Sequence, residues 1–264
     1  MTTRSMGSEG FKWFVGTVED RDDPLKIGRL RVRIFNMHSE SRIKVQTTEL
    51  PWAIPINPIF SASFQQVGLA PVGAVVGSTV VGFFADGNSA QIPLVIGTLP
   101  GIPDGILAQN DVPGLAREIN TINKQQMGPE PASAYGARYP FNKVFTSESG
   151  HVFEVDDTPN RERIHSYHRA GTYTEIGPEG SRVQKIVGDD YEIVVKDKKV
   201  FVSGNVIIDV NGVATINAPG GMEINGDVQL NGRLNVVGEI IGNGVEYNQH
   251  THSDPQDGTT GIPQ

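Results

Sequence analysis

Residues 204–244 read GNVIIDVNGVATINAPGGMEINGDVQLNGRLNVVGEIIGNG, and this stretch decides the architecture. Glycines stand at 204, 212 and 220, eight apart, then at 226, 232, 238 and 244, six apart. Short β-prone pieces fill the intervals, among them Val206-Ile207-Ile208, Val213-Ala214-Thr215-Ile216 and Leu234-Asn235-Val236. Asn-Gly pairs at 211–212, 225–226 and 231–232 supply residues that accept positive φ at tight corners. Self-similarity at a short fixed period is the signature of a β-helix or a related solenoid.

Each rung offers only one or two large aliphatic side chains, worth about 1.5–3 kcal/mol apiece when fully buried. Ordering the backbone costs roughly 1–2 kcal/mol per residue. A lone strand with its rungs open to water therefore cannot hold its shape. Other chains must supply the opposing walls, and a wrap of three also removes exposed strand edges. The expectation is an intertwined triple-stranded β-helix over 204–247 in a homotrimer. A single-chain β-helix is the alternative, but its coils need ~20 residues each.

Upstream, residues 141–203 carry short strand patterns at 144–146, 151–155, 163–168, 172–176, 181–187 and 191–195. Ser149-Gly150, Asp157-Thr158-Pro159, Pro178-Glu179-Gly180 and Gly188-Asp189-Asp190 mark turns between them. Residues 99–140 differ, because prolines at 100, 103, 113, 129, 131 and 140 forbid long regular elements. One short helix over 115–123 fits there, and the stretch reads as an extended connector lying along another chain. Residues 1–98 read as a small barrel of four or five short strands. Trp13 to Asp20 alternates, and Leu30, Val32 and Ile34 face one side while Arg29, Arg31 and Arg33 face the other. Leu50-Pro51-Trp52-Ala53-Ile54-Pro55 reads as an edge segment, since proline cannot donate to a central ladder. Residues 77–84 and 92–96 add two apolar strands joined at an Asp86-Gly87-Asn88 hairpin signal. The fold class is thus all-β, with segments at 1–98, 99–140, 141–203, 204–247 and 248–264.

Charge supports a boundary near residue 140. Of 22 basic and 30 acidic side chains, residues 1–140 hold 12 of each, and residues 141–264 hold 10 basic against 18 acidic, the whole −8. Such an acidic half repels phosphate, so nucleic acid is not expected as a partner. With no cysteine there is no disulfide framework and no thiolate metal site, and the compartment stays open. No signal-like N-terminus or run of ~18 apolar residues is present, so the expected product is a soluble one of the cytoplasm.

Several motifs then resemble one family. Residues 13–20, Asp23-Pro24-Leu25-Lys26, Gly28-Arg29-Leu30-Arg31-Val32-Arg33 and Leu50-Pro51-Trp52 resemble the N-terminal oligonucleotide/oligosaccharide-binding (OB) barrel of T-even-type baseplate central spike proteins. Thr146-Ser147-Glu148-Ser149-Gly150-His151, Asp156-Asp157-Thr158-Pro159 and Gly171-Thr172-Tyr173 look like the start of that family's spike domain, shared with VgrG-type secretion spikes. The resemblance implies an N-terminal OB-fold barrel and a trimeric spike in a virion tail baseplate or contractile injection particle. Its implied partners are a baseplate hub protein at the barrel and the target cell envelope at the tip. In the best-known members a helical lysozyme domain separates barrel and spike; here only residues 99–140 fill that interval, and no Glu/Asp pair framed for glycoside cleavage can be assigned. The chain is expected not to be an enzyme.

Three candidate sites remain. His250-Thr251-His252 ends the repeat, and residues i and i+2 of a strand share a face. Three chains on an axis would present six imidazoles, a set suited to octahedral Fe, Ni, Cu or Zn. The tail from His252 also resembles the tips of short-tailpiece phage spikes, which implies one iron ion per trimer; the alternative is two exposed histidines on a frayed terminus. Lys26, Arg29, Arg31 and Arg33 could bind a polyanion or carbohydrate, making the protein an OB-type binding module on a trimerising stalk. The neighbouring Glu19, Asp20, Asp22 and Asp23 instead favour internal pairing. His151, His165 and His168, near Glu154, Asp156 and Asp157, are accounted for as surface or inter-chain contacts.

Overall fold

The structure, a computed structural model, describes residues 12–65, 67–101, 130–242, 245, 246 and 251. It divides into two units, Met1–Ile193 and Val194–Gln264.

The first unit begins with a closed barrel of five strands in the order β1-β2-β3-β5-β4. These are β1 (Trp13–Asp20), β2 (Leu30–Ile34), β3 (Trp52–Pro55), β4 (Thr79–Phe84) and β5 (Pro93–Leu99). Alternation decides what lies inside. Phe14, Val18, Leu30, Val32, Ile34, Ala53, Val80, Phe84 and Val95 form one buried cluster. A side chain at Gly82 would collide with the Leu94 carbonyl and the Phe14 ring, so glycine lets β4 approach β5 there.

Two sequence expectations change here. The 50–55 segment is no edge, because β3 closes the barrel against β5 in parallel, with Ile54 beside Leu94. Pro55 is tolerated at the strand end, and the next amide, Ile56, donates to the Val95 carbonyl at 2.8 Å. The Asp86-Gly87-Asn88 signal forms no two-residue hairpin but a 3-10 turn, Gly87–Ser89, ending on Ala90 in the left-handed region. The Asp86 carboxylate holds that turn by accepting from the Gln91 and Ile92 amides at 2.8 and 3.1 Å.

The second element is a five-stranded antiparallel meander: β6 (Asn142–Thr146), β7 (Val152–Asp156), β8 (Arg163–Tyr167), β9 (Tyr173–Ile176) and β10 (Arg182–Lys185). The turns predicted at Ser149-Gly150 and Pro178-Glu179-Gly180 form, with Gly150 and Gly180 at φ +89° and +76°. One face of the meander is covered by a strap, residues 130–138. Ser133 and Ala134 donate to Glu175 at 2.8 and 3.0 Å, and the Arg138 amide donates to Thr158 Oγ1 at 2.9 Å. This part of the connector therefore lies on the sheet of its own chain. The helix expected over 115–123 lies outside the described residues.

In the second unit, residues 194–240 form no strand, and the strand expected at 191–195 does not form either. The described ladder of this unit is the short pair β11 (Ile241–Gly242) and β12 (Val245–Glu246). Of the three Asn-Gly pairs, Gly226 takes a positive φ. A ladder needs a neighbouring strand, and residues 194–240 find none among the described residues.

Candidate functional site

The basic strand comes first. Arg33 makes a two-pronged pair with Glu19, at 2.8 and 2.9 Å, and also donates to the Ser39 and Val45 carbonyls. Arg29 grips Asp23 at 2.7 and 2.9 Å, while the Leu25, Ile27 and Arg29 amides donate to the same carboxylate. Arg31 donates to the Thr48 and Leu50 carbonyls and lies 4.4 Å from the Trp52 ring centre. Hydrogen bonds from Arg33, Thr47 and Arg42 overcome burial and hold the Glu19 carboxyl down at about 2. Asp23 is likewise held well below its ordinary value, by Arg29 first. These arginines are spent on internal pairs. The adjacent groove, about 490 Å³, is lined by Glu19 and Glu40 as well as Arg33, a poor match for a polyanion.

The histidine and acid cluster is the second place. His165 is buried, as are Glu154, Asp156, Arg163 and Glu175, so these are not surface contacts. Arg163 bridges two carboxylates, donating to Glu154 at 2.5 Å and to Glu175 at 2.7 Å, and lies 4.9 Å from the Tyr135 ring centre. Asn142 donates to the other Glu154 oxygen at 2.6 Å. Burial pushes the Glu175 carboxyl up, but the His165 ring, the Ala134 amide, Arg163 and the Ser133 hydroxyl outweigh it and hold it at about 2. Glu130 of the strap accepts from Tyr173 at 2.6 Å and from Lys185 at 2.8 Å. Two carboxylates are thus clamped on one guanidinium beneath the strap.

His151 and His168 stand apart at one end of the sheet, ring centres 4.5 Å apart. Each Nδ1 accepts a backbone amide, from Arg169 at 3.4 Å and Ala170 at 3.1 Å. His250 and His252 lie outside the described residues.

Sequence reasoning missed two apolar surfaces. No charged side chain occurs between Glu49 and Asp86, a signal that was available. The β3–β4 loop within this stretch turns Ile59, Phe60, Phe64, Leu69 and Val72 outward. Within it Ser61 is buried and its Oγ accepts the Leu69 amide at 2.8 Å. The second surface is the sheet face opposite the strap, where Phe145, Phe153 and Ile164 are exposed. Patches of this kind mark contacts with other proteins.

Comparison with known proteins agrees with this architecture. The family described as the Gp5 N-terminal OB domain matches residues 36–163, from the middle of the barrel into β8. Protein Gp5 of Vibrio phage KVP40 is 37% identical over 277 aligned positions, covering 80% of this chain and 66% of that protein. The pre-baseplate central spike protein Gp5 of Enterobacteria phage T4 is 37% identical over 133 positions, 45% of this chain and 23% of its own length. The chain thus spans just under two thirds of the first relative and about a quarter of the second. An OB barrel, an all-β course and this similarity together make the chain a member of the Gp5 family, the baseplate central spike proteins of T4-like phage tails.

Proposed function

We propose that three copies of this chain form the spike of a phage-type baseplate, with residues 204–247 wound into a triple-stranded β-helix. The observation that carries this reading is the state of the repeat in a single chain. Val213 and Val237 are 90% and 96% exposed, and residues 194–240 form no strand. Three such strands can bury one another's rungs and satisfy one another's backbone groups. Light scattering should give about three times the chain mass of 28.5 kDa. A stable folded monomer would overturn the reading.

The barrel docks on a hub protein, and its charge-free β3–β4 loop is the surface best suited to that contact. Phe60→Asp should leave the oligomer intact yet block its incorporation into baseplates, scored by assembly complementation. The spike tip meets the target cell envelope and pierces it by rigidity alone. The relatives' wider activities do not transfer with the shared segments, and we read the chain as non-enzymatic. Zymography on peptidoglycan should show no clearing.

His250 and His252 of three copies would supply six imidazoles at the tip, enough for one transition-metal ion, iron by resemblance. Metal bracing suits a point too narrow for an apolar core. Elemental analysis should find about one ion per three chains, lost in the double variant His250→Ala, His252→Ala. Ligation needs neutral imidazole, so the metal should also leave below about pH 6.

A further inference from the structure

One row of side chains beneath the strap carries three polar atoms that no protein group meets. Asn142, Asp156 and Arg163 stand abreast on β6, β7 and β8, Asp156 being the register partner of both others. Asp156 and Arg163 are 1% and 4% exposed. Asn142 Oδ1, Asp156 Oδ2 and Arg163 Nε are buried and bond to no protein atom. Buried polar atoms are nearly always hydrogen-bonded, and those without a protein partner are met by an ordered guest.

The other polar atoms of these side chains are committed, so the three cannot turn elsewhere. Arg163 gives Nη2 to Glu154 at 2.5 Å and Nη1 to Glu175 at 2.7 Å. Asn142 donates through Nδ2 to the second Glu154 oxygen at 2.6 Å. A carboxylate only accepts, which fixes the amide orientation and leaves Oδ1 as the free end. Asp156 Oδ1 accepts the Thr158 amide at 2.9 Å. Asn142 and Arg163 are thus anchored on one carboxylate, with Asp156 between them on the middle strand. Opposed side chains on neighbouring strands have Cβ atoms about 4.5–5.5 Å apart. A guest at about 2.8 Å from each of two atoms spans a gap of that size.

Polarity selects the guest. The carboxylate and amide oxygens accept, and Arg163 Nε–H donates, so the guest must give two hydrogens and accept one. A metal cation offers no lone pair to Nε–H and meets the guanidinium charge. A halide gives no hydrogen, and a hydroxyl group gives only one. Water gives two and accepts, and three partners are the usual number for a buried molecule. We infer that the Asn142–Asp156–Arg163 row is a binding site for one water molecule, held as a fixed part of the sheet.

This water also ties the strap to the ion cluster. The Arg138 amide of the strap donates to Thr158 Oγ1, and the Thr158 amide donates to Asp156. The water carries that line on to Asn142 and Arg163, which both hold Glu154. The strap's anchor therefore seals the site, and the water exchanges when that anchor opens.

A high-resolution crystal structure of the full chain, with and without a rubidium bromide soak, tests the site. One peak within about 3.2 Å of all three atoms, with no anomalous signal from either ion, is the expected result. An anomalous peak there would mean an ion and overturn the inference. A row without a peak, or one whose three atoms bond directly to protein groups, overturns it too. Solution exchange gives a second readout. Thr158→Val keeps the amide that Asp156 caps and removes the acceptor of the Arg138 amide. Water-deuteron relaxation dispersion should then show the residence time of one water per chain fall at least tenfold. Unchanged residence of every internal water in the folded variant would overturn the seal, while the crystal structure alone decides the site.

Discussion

The barrel and the β6–β10 sheet are built from strands of similar length, yet the sheet's covered face mixes charge with a smaller apolar cluster of Val152 and Tyr167, with Val144 and Tyr173 against it. The barrel encloses Val18, Val32, Val80 and Phe84, and its Arg33–Glu19 and Arg29–Asp23 pairs lie outside that cluster, with Arg33 and Asp23 buried. The sheet covers Glu154, Arg163 and Glu175 and leaves Phe145, Phe153 and Ile164 open. Closure explains the contrast. A barrel's inner face is covered by its own strands, so apolar side chains there complete a core within one chain. An open sheet has two faces, and its own chain covers only one, with a narrow strap whose amides and hydroxyl suit charges.

The contrast can be broken most forcefully at Arg163. Arg163→Leu strands two buried carboxylates and should cost the sheet about 3–5 kcal/mol. Both tryptophans, Trp13 and Trp52, belong to the barrel, so their fluorescence transition in urea should stay put while the circular dichroism transition moves. A common shift would mean that the two elements unfold as one. Of similar size and opposite address is Phe84→Ala, which empties the barrel core at about 3–5 kcal/mol. Here the fluorescence transition should move.

Acid should weaken both regions by a smaller amount. Glu19 and Glu175 are held at about 2, against an ordinary 4.5. A carboxyl lowered by folding contributes stability above its unfolded value, and that contribution is lost as pH falls from about 4.5 to about 2, on the order of 2 kcal/mol each. Glu19→Gln should flatten this dependence in the barrel transition and leave that of the sheet unchanged. Least of all should come from Arg21→Ala. Its pair with Glu148, at 2.6 Å, links barrel to sheet but lies in solvent. Neither transition should move beyond repeat scatter; a clear shift would show real coupling through this link.

Legibility in the sequence followed locality. Leu30, Val32 and Ile34 against Arg29, Arg31 and Arg33 gave both the strand and the side that faces the apolar cluster, although Arg33 on the other side is buried too, against Glu19. In β7 and β8 the alternation of Phe153 and Val155 with Glu154 and Asp156 was equally plain, but the same rule assigns the wrong side. Charges go inward there because Arg163 meets Glu154 and Glu175 across strands and the strap supplies further donors. His165 was read as a surface or inter-chain contact for the same reason. The tip histidines remain a matter of spacing alone.

By itself, the sequence determined the all-β class, the eight-then-six glycine period, the charge boundary near residue 140 and the family resemblance, since each is a local pattern along the chain. Only the tertiary structure decided that β3 closes on β5, that residues 130–138 strap their own sheet, and that this sheet faces its charges inward. Alternation says that two faces differ but not which one is covered. That depends on what packs across from it, and those contacts come from residues distant in the sequence.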